Sequence, residues 1–262
     1  MQLQLSFGRR ENRPEADPRA ERLHSLLLAA RRTGFYARRL KGVGAEPRPA
    51  ETALAALPPI PFRMFRDNQE HFTNPRHATS GAARISRLWK WLAVSAPSEA
   101  IAGSPAELIE LAGKVEAGEV LPARGACRVL VYTTLGERLL DPALRERLWE
   151  VFELPVFEQL RGFEGELLAS ECEAHEGLHL AADSAIFEIL RGELAVTSLV
   201  AMRNPVLRLL TGLAGSIESR ACPCGESGVR FLPAPAVAVR RKPPSVTRGV
   251  HASGQRRFAT AL

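Results

Sequence analysis

Apolar residues recur along this chain first at helical spacing and later at strand spacing. Over 17–41, "DPRAERLHSLLLAARRTGFYARRLK", they return every three to four positions, which predicts an amphipathic helix broken near Gly34. Residues 45–62, "AEPRPAETALAALPPIPF", carry proline at both ends and predict a short helix followed by an extended segment. A polar, loop-rich stretch, "RMFRDNQEHFTNPRHATSGAARISR", follows. Over 104–119, "SPAELIELAGKVEAGE", Ser104 stands as N-cap, Pro105 at the first helical position and Glu107 at the third, the residues of a capping box. The pattern then alternates: "CRVLVYTT" reads as a buried strand, Asp141 and Pro142 open a helix, and "LPVFEQL" is a second strand. That rhythm predicts a parallel α/β layer. From about residue 166, "LHLAADSAIFEIL", "GELAVTSLV" and "NPVLRLLTG" are short apolar runs joined by turn residues, which predicts a small antiparallel β-region. The fold class is therefore α/β. Its expected layout is a helical segment with a loop over 1–95, the α/β layer over 96–165, the β-region over 166–239 and a tail over 240–262.

Composition narrows the class. The 262 residues are 45% hydrophobic and 24% charged, globular values for a chain long enough to bury one large core or two small ones. The net charge of +6 resides at one end: from Arg240 onward there are six Lys or Arg and no acid, and the rest balances at 29 basic and 29 acidic residues. A neutral body with a basic, Pro- and Ser-containing end predicts a disordered tail, open to acidic partners. No basic stripe interleaved with aromatics runs through the body, so nucleic acid is not an expected partner. No apolar run reaches the roughly 18 residues that span a bilayer, and the N-terminal residues turn charged too early for a secretory signal. The expectation is a cytoplasmic protein with no membrane partner.

In a reducing compartment the four cysteines read as thiols or metal ligands rather than disulfides. Cys127 opens an apolar run and reads as a buried core thiol. "ECEAHEGLHL" supplies Cys172, His175 and His179, and "CPCG" supplies Cys222 and Cys224. Three thiols and an imidazole make a tetrahedral structural zinc shell; unmetallated thiols are the alternative, since a Cys-x-Cys disulfide would close a strained small ring. His175, in the acidic turn "EAHEG", is expected to face water.

From residue 127 the motif order gains a further meaning. "VYTTLGERLLDPALRERLWEVFELPVFEQLRGFEGELLASECEAHEGLHL" is followed by "GELAVTSL", "NPVLRLLTG" and "CPCG", and preceded by "GFYARRL" and "LPPIPFRMFRDN". This order resembles the phenylacetate–CoA ligase and acyl-protein synthetase group of AMP-forming, adenylating enzymes, over most of residues 20–230. The resemblance implies a partial adenylate-forming-enzyme fold. It also implies an ancestral reaction in which ATP and a carboxylic acid give acyl-AMP and pyrophosphate, after which a thiol takes the acyl group. ATP with Mg²⁺ would be the cofactor, and an acyl or aryl acid and a thiol acceptor the partners. By the same resemblance Thr79, Ser80 and Gly81 of "ATSGAARISR" match the loop that cradles phosphates. Gly136 and Glu137 of "TTLGE" match the adenine-contacting segment, Glu164 of "LRGFEG" the Mg²⁺-holding catalytic glutamate, and Thr211 of "LLTGLA" the ribose motif. Relatives carry a histidine at the start of the strand holding "GLHL", which makes His179 the imidazole ligand beside Cys172, Cys222 and Cys224.

The sequence departs from this pattern at several points. Ala82, Ala83 and Arg84 replace a Thr-Thr-Gly, Leu160 replaces an aromatic, Phe163 replaces a phosphate-contacting Thr, and Leu213 replaces the ribose-binding Asp. A leucine accepts no hydrogen bond, so charge-assisted contacts worth roughly 1.5–3 kcal/mol are lost there. The stretch between "ARISR" and "SPAEL" is short for the family's central substrate-binding section. No lid is expected after "CPCGESGVRFLPAP", and Lys41, Lys90, Lys114 and Lys242 lack the context of a lid lysine. Two function classes follow: a carboxylate-activating ligase weakened or lost in activity, and a non-catalytic, zinc-stabilised scaffold or partner subunit.

Overall fold

The structure is a computed structural model that describes residues 17–41, 50–77, 100–121 and 125–235. The matched phosphate-loop residues Thr79, Ser80 and Gly81 and the basic tail 240–262 lie outside the described residues.

Helix α1 (Pro18–Ala30) starts where Asp17 accepts the Arg19 amide at 2.9 Å and buries Leu23, Leu26 and Leu27. It ends four residues before Gly34. The buried Thr33 donates its hydroxyl to the Ala30 carbonyl at 2.8 Å and accepts the Tyr36 amide at 3.2 Å, so a side chain takes over the backbone's partners and turns the chain. Next come α2 (Ala50–Ala55) and β1 (Ile60–Pro61), the short helix and extended segment that the prolines predicted. Then come α3 (Phe62–Arg66) and α4 (Gln69–Phe72), two short helices where the polar stretch read as loop, their apolar Phe65 and Phe72 buried in the core.

Strands β2 (Ala100–Gly103), β3 (Arg128–Thr134) and β4 (Val156–Arg161) are parallel and are connected through α5 (Pro105–Glu116) and α6 (Pro142–Phe152). Both helices begin as their sequences dictate. Ser104 and Glu107 form the reciprocal capping box, and Asp141 accepts the Ala143 amide at 2.9 Å. Val129, Val131 and Val156 face Leu108, Ala112, Leu148 and Phe152 in a core of their own.

The antiparallel part comprises β5 (Leu167–Glu171), β6 (Leu178–Leu180), β7 (Ala185–Leu190), β8 (Glu193–Ser198), β9 (Leu209–Glu218) and β10 (Arg230–Pro233). It continues the parallel layer without a break, in the order β2-β3-β4-β5-β6-β10-β9-β8-β7, with β1 alongside β9. The junction strand is β9. Its first residues pair with β8 (Ala195↔Leu210), and Gly215–Glu218 pair with β10. Arg208 ties the N-terminal segment to this sheet: its guanidinium makes two 3.0 Å bonds to Glu188 and donates to the carbonyls of Ala55 and Leu57 at 2.8 and 2.6 Å.

One expectation is corrected. Cys127 is exposed rather than buried, because β3 begins one residue later and leaves Cys127 on the rim of a surface groove.

Candidate metal centre and the nucleotide-site positions

The four sequence-predicted ligands converge. Cys172 follows β5, His179 sits in β6, and Cys222 and Cys224 lie on the loop between β9 and β10, yet their ligand atoms all lie within 4.8 Å of one another. Two similar turns present the sulfurs. The His175 amide closes onto the Cys172 carbonyl at 3.0 Å, the Gly225 amide onto the Cys222 carbonyl at 3.0 Å, and both closing residues have positive φ (52° and 84°). The left-handed conformation suits Gly225; His175 adopts it as a non-glycine residue.

Two of the spacings match those around a shared ion. Zn–S bonds of about 2.3 Å and Zn–N bonds of about 2.0–2.1 Å give tetrahedral S–S edges of about 3.8 Å and S–N edges of about 3.6 Å. Here Cys172 Sγ lies 3.6 Å from Cys222 Sγ, and Cys224 Sγ lies 3.6 Å from His179 Nε2. The other imidazole nitrogen, Nδ1, stands 3.6 Å from the Glu226 carboxylate, which suits a ligating histidine that presents Nε2 to a metal. The Glu226 amide donates to Cys224 Sγ at 3.4 Å, and the buried Arg230 donates to Cys222 Sγ at 3.4 Å. Burial pushes the Cys172 thiol up to about 11. Burial also opposes ionisation of Cys222, but the Cys224 amide and the neighbouring thiols and imidazole bring it down to about 6. Cys222 thus ionises more readily than Cys172, and a bound divalent cation would favour the thiolate of either ligand. Four protein ligands close a tetrahedral shell against water, the arrangement of a structural site. His175 stays outside the cluster, half-exposed, stacked on Phe157 and 3.0 Å from Glu171.

Glu226 and Arg230 were not singled out in the sequence. Glu226 follows Cys224 by two residues, a usable signal; Arg230 only interrupts the apolar run "GVRFLP".

The described nucleotide-matched positions have the following surroundings. Glu164 directs one oxygen, Oε1, at two backbone amides, those of Arg203 and Asn204, both at 2.8 Å. Phe163 stacks on Phe65 with ring centres 4.4 Å apart and lies near parallel to Phe62. Gly136 has φ +86°, and a side chain there would run into the Phe62 ring. Glu137 caps its own turn by accepting the Thr134 amide at 2.7 Å. Thr211 is buried, donates to the Leu194 carbonyl at 2.9 Å and accepts the Leu213 amide at 3.2 Å, closing an irregularity between β8 and β9; Leu213 packs on the main core.

No protein-family model and no curated protein matches this sequence. Solved structures do match. The open conformation of 2-hydroxyisobutyryl-CoA ligase in complex with 2-HIB-AMP and CoA aligns with a TM-score of 0.55 and 16% identity, over 82% of this chain and 67% of that one. The same ligase in the postadenylation state with R3-HIB-AMP gives 0.56 and 16%, over 82% and 65%. In the thioesterification state with 2-HIB-AMP and CoA it gives 0.54 and 17%, over 82% and 66%. The chain thus spans about two thirds of that ligase's length. At such identity the likeness speaks for architecture, and the parallel strands that run on into an antiparallel sheet are part of an adenylate-forming-enzyme fold.

Proposed function

We propose that this chain is a zinc-pinned protein of the phenylacetate–CoA ligase and acyl-protein synthetase kind, in which carboxylate activation is weakened or lost. The fold then acts as a cytoplasmic scaffold or partner subunit. The observation that carries this is the use of Glu164. A glutamate that holds Mg²⁺ must offer its oxygens to the ion, whereas here Oε1 is engaged by the amides of Arg203 and Asn204. Phe163 and Leu213, at the positions for phosphate and ribose contacts, supply no polar atom. Adenylation needs preorganised charge around the triphosphate, and Phe163 and Leu213 contribute none. The Cys₃His cluster supports the structural half of the proposal, with zinc held by Cys172, His179, Cys222 and Cys224. The reduced thiols suit a cytoplasmic setting, and among the described residues no helix is long and apolar enough to cross a membrane.

A second reading, retained activation of an acyl or aryl acid with transfer to a thiol such as CoA, is favoured by one observation: the matching ligase structures carry an acyl-AMP and CoA. In that case Thr79, Ser80, Gly81, Gly136, Glu137 and Thr211 would surround ATP and Glu164 would meet Mg²⁺. Purified chain incubated with Mg²⁺, ATP and a panel of acids including 2-hydroxyisobutyrate separates the two. No acid-dependent pyrophosphate release and no ATP binding by calorimetry are expected. Robust turnover that Glu164→Gln abolishes would restore the enzyme.

A further inference from the structure

The candidate metal cluster straddles the shortest pairing along the strand order β2 through β7. Strands β6 and β10 meet at two register positions, Arg230↔His179 and Phe231↔Leu178, whereas β3–β4 and β7–β8 each have six. In the strand order this junction separates β2 through β6 from β10 through β7. The ligands divide evenly across it: Cys172 and His179 come from one side, and Cys222 and Cys224 from the loop leading into β10 on the other. A shared ion therefore adds two bonds to each side of a seam held by those two register positions and one adjoining backbone bond, from the Leu180 amide to the Val229 carbonyl at 2.9 Å.

Arg230 lies in the same place. Its side chain is 3% exposed. Nη1 donates to Cys222 Sγ at 3.4 Å and to the Glu176 carbonyl at 2.9 Å, on the opposite side of the seam, while Nε is buried without a partner. A dication with three thiolates and a neutral imidazole carries one net negative charge, which one guanidinium neutralises. Without the ion the guanidinium has the Cys222 sulfur, the Glu176 carbonyl and the Glu176 carboxylate 3.5 Å away, itself 58% exposed. A buried charge short of partners is costly, and parting β10 from β6 returns it to water.

We infer that the bound ion closes the β6–β10 seam and that Arg230 is the positioning residue that makes the ion necessary there, so metal occupancy decides whether the two halves of the sheet stay joined. This rests on the reading of the cluster as a zinc site. The test is hydrogen–deuterium exchange on the full chain, zinc-loaded and after chelation. Amides of 178–180 and 229–232 should exchange at least tenfold faster after chelation, while those of β3, β4, β7 and β8 change less than twofold. If the chain takes up no stoichiometric zinc or cobalt, the zinc reading falls and this inference with it. If it binds zinc and chelation leaves the seam unchanged, or speeds every strand alike, the inference alone is overturned. The cobalt-loaded Arg230→Met variant should keep thiolate-to-metal absorption with affinity lowered roughly 10–100-fold, partly rescued by Arg230→Lys. Unchanged affinity in a folded Arg230→Met removes Arg230 from the account. Should that variant not fold, the exchange measurement on the unaltered chain decides.

Discussion

The candidate metal cluster and the described nucleotide-matched positions lie on or beside the same sheet and treat their polar atoms differently. At the cluster, side chains from three separate stretches aim four ligand atoms at one point. Among the described nucleotide-matched positions, one oxygen of Glu164 accepts two amides, one oxygen of Glu137 accepts one, and Thr211 meets a carbonyl and an amide. A residue of the right type in the right motif is therefore only half of a site; the other half is whether its lone pairs are still free for a guest.

The largest effect expected from this contrast is at the cluster. Cys222→Ser should abolish stoichiometric zinc and cost on the order of 5 kcal/mol, a fall of roughly 10–20 °C in melting temperature. Cys127→Ser, on the groove rim, should leave the zinc content unchanged. Elemental analysis and calorimetric melting check both, and zinc retained by Cys222→Ser would erase the distinction between the two regions.

Phe163→Thr comes next, since it returns the residue that the adenylating motif requires. If that region is packing, the change destabilises by about 2–4 kcal/mol through loss of the stack on Phe65, and calorimetry detects no gain of ATP binding. Tight Mg²⁺-dependent ATP binding by this variant would show a dormant site. Glu164→Ala should cost about 1–3 kcal/mol in urea unfolding by stranding the amides of Arg203 and Asn204, with pyrophosphate release no different from the parent.

The smallest effect is a pH dependence. Burial raises the Glu158 carboxyl above its ordinary value of 4.5, opposed by bonds from the Thr133 hydroxyl and the Leu140 amide. The folded chain then binds this proton more tightly than the unfolded one. The stabilisation is complete below the ordinary carboxylate value and is lost as pH rises through the raised value. Glu158→Gln, whose amide oxygen can accept both bonds, should flatten that part of the stability profile and be at least as stable as the parent at pH 7. A profile that the substitution leaves unaltered would count against a buried, proton-retaining Glu158.

Local chemistry was legible in the sequence and distant pairing was not. Asp141-Pro142 and the Ser104 capping box announced their helices because a cap involves residues two or three apart. The tight Cys-x-Cys pointed to the candidate metal ligands, and the motif order pointed to His179 rather than His175, the imidazole that converges on the thiols being that of His179. The continuous sheet was harder to read, since β10 pairs with β6 and β9 across stretches that carry no local signal. Glu164 meets amides 39 and 40 residues away, and the ring cluster of Phe62, Phe65 and Phe163 joins a helix to a hairpin turn nearly a hundred residues later. Cys127 misled because an apolar run locates a strand to within a residue or two, and burial at its end changes within that margin.

The position of β10 also sets a schedule for the chain's birth. The last of the described strands to be synthesised lies inside the sheet, between β6 and β9. The N-terminal segment waits as well, because Ala55 is held by Arg208, 153 residues further on. At roughly 5–20 residues per second of synthesis that wait is about 8–30 s, during which Leu54, Leu57 and Ile60 have no sheet to cover them. Cys222 and Cys224 emerge after Cys172 and His179, so a nascent chain offers a two-ligand half-site first. An ion captured there would await the final loop, making metal supply a condition of the last act of folding rather than of the first.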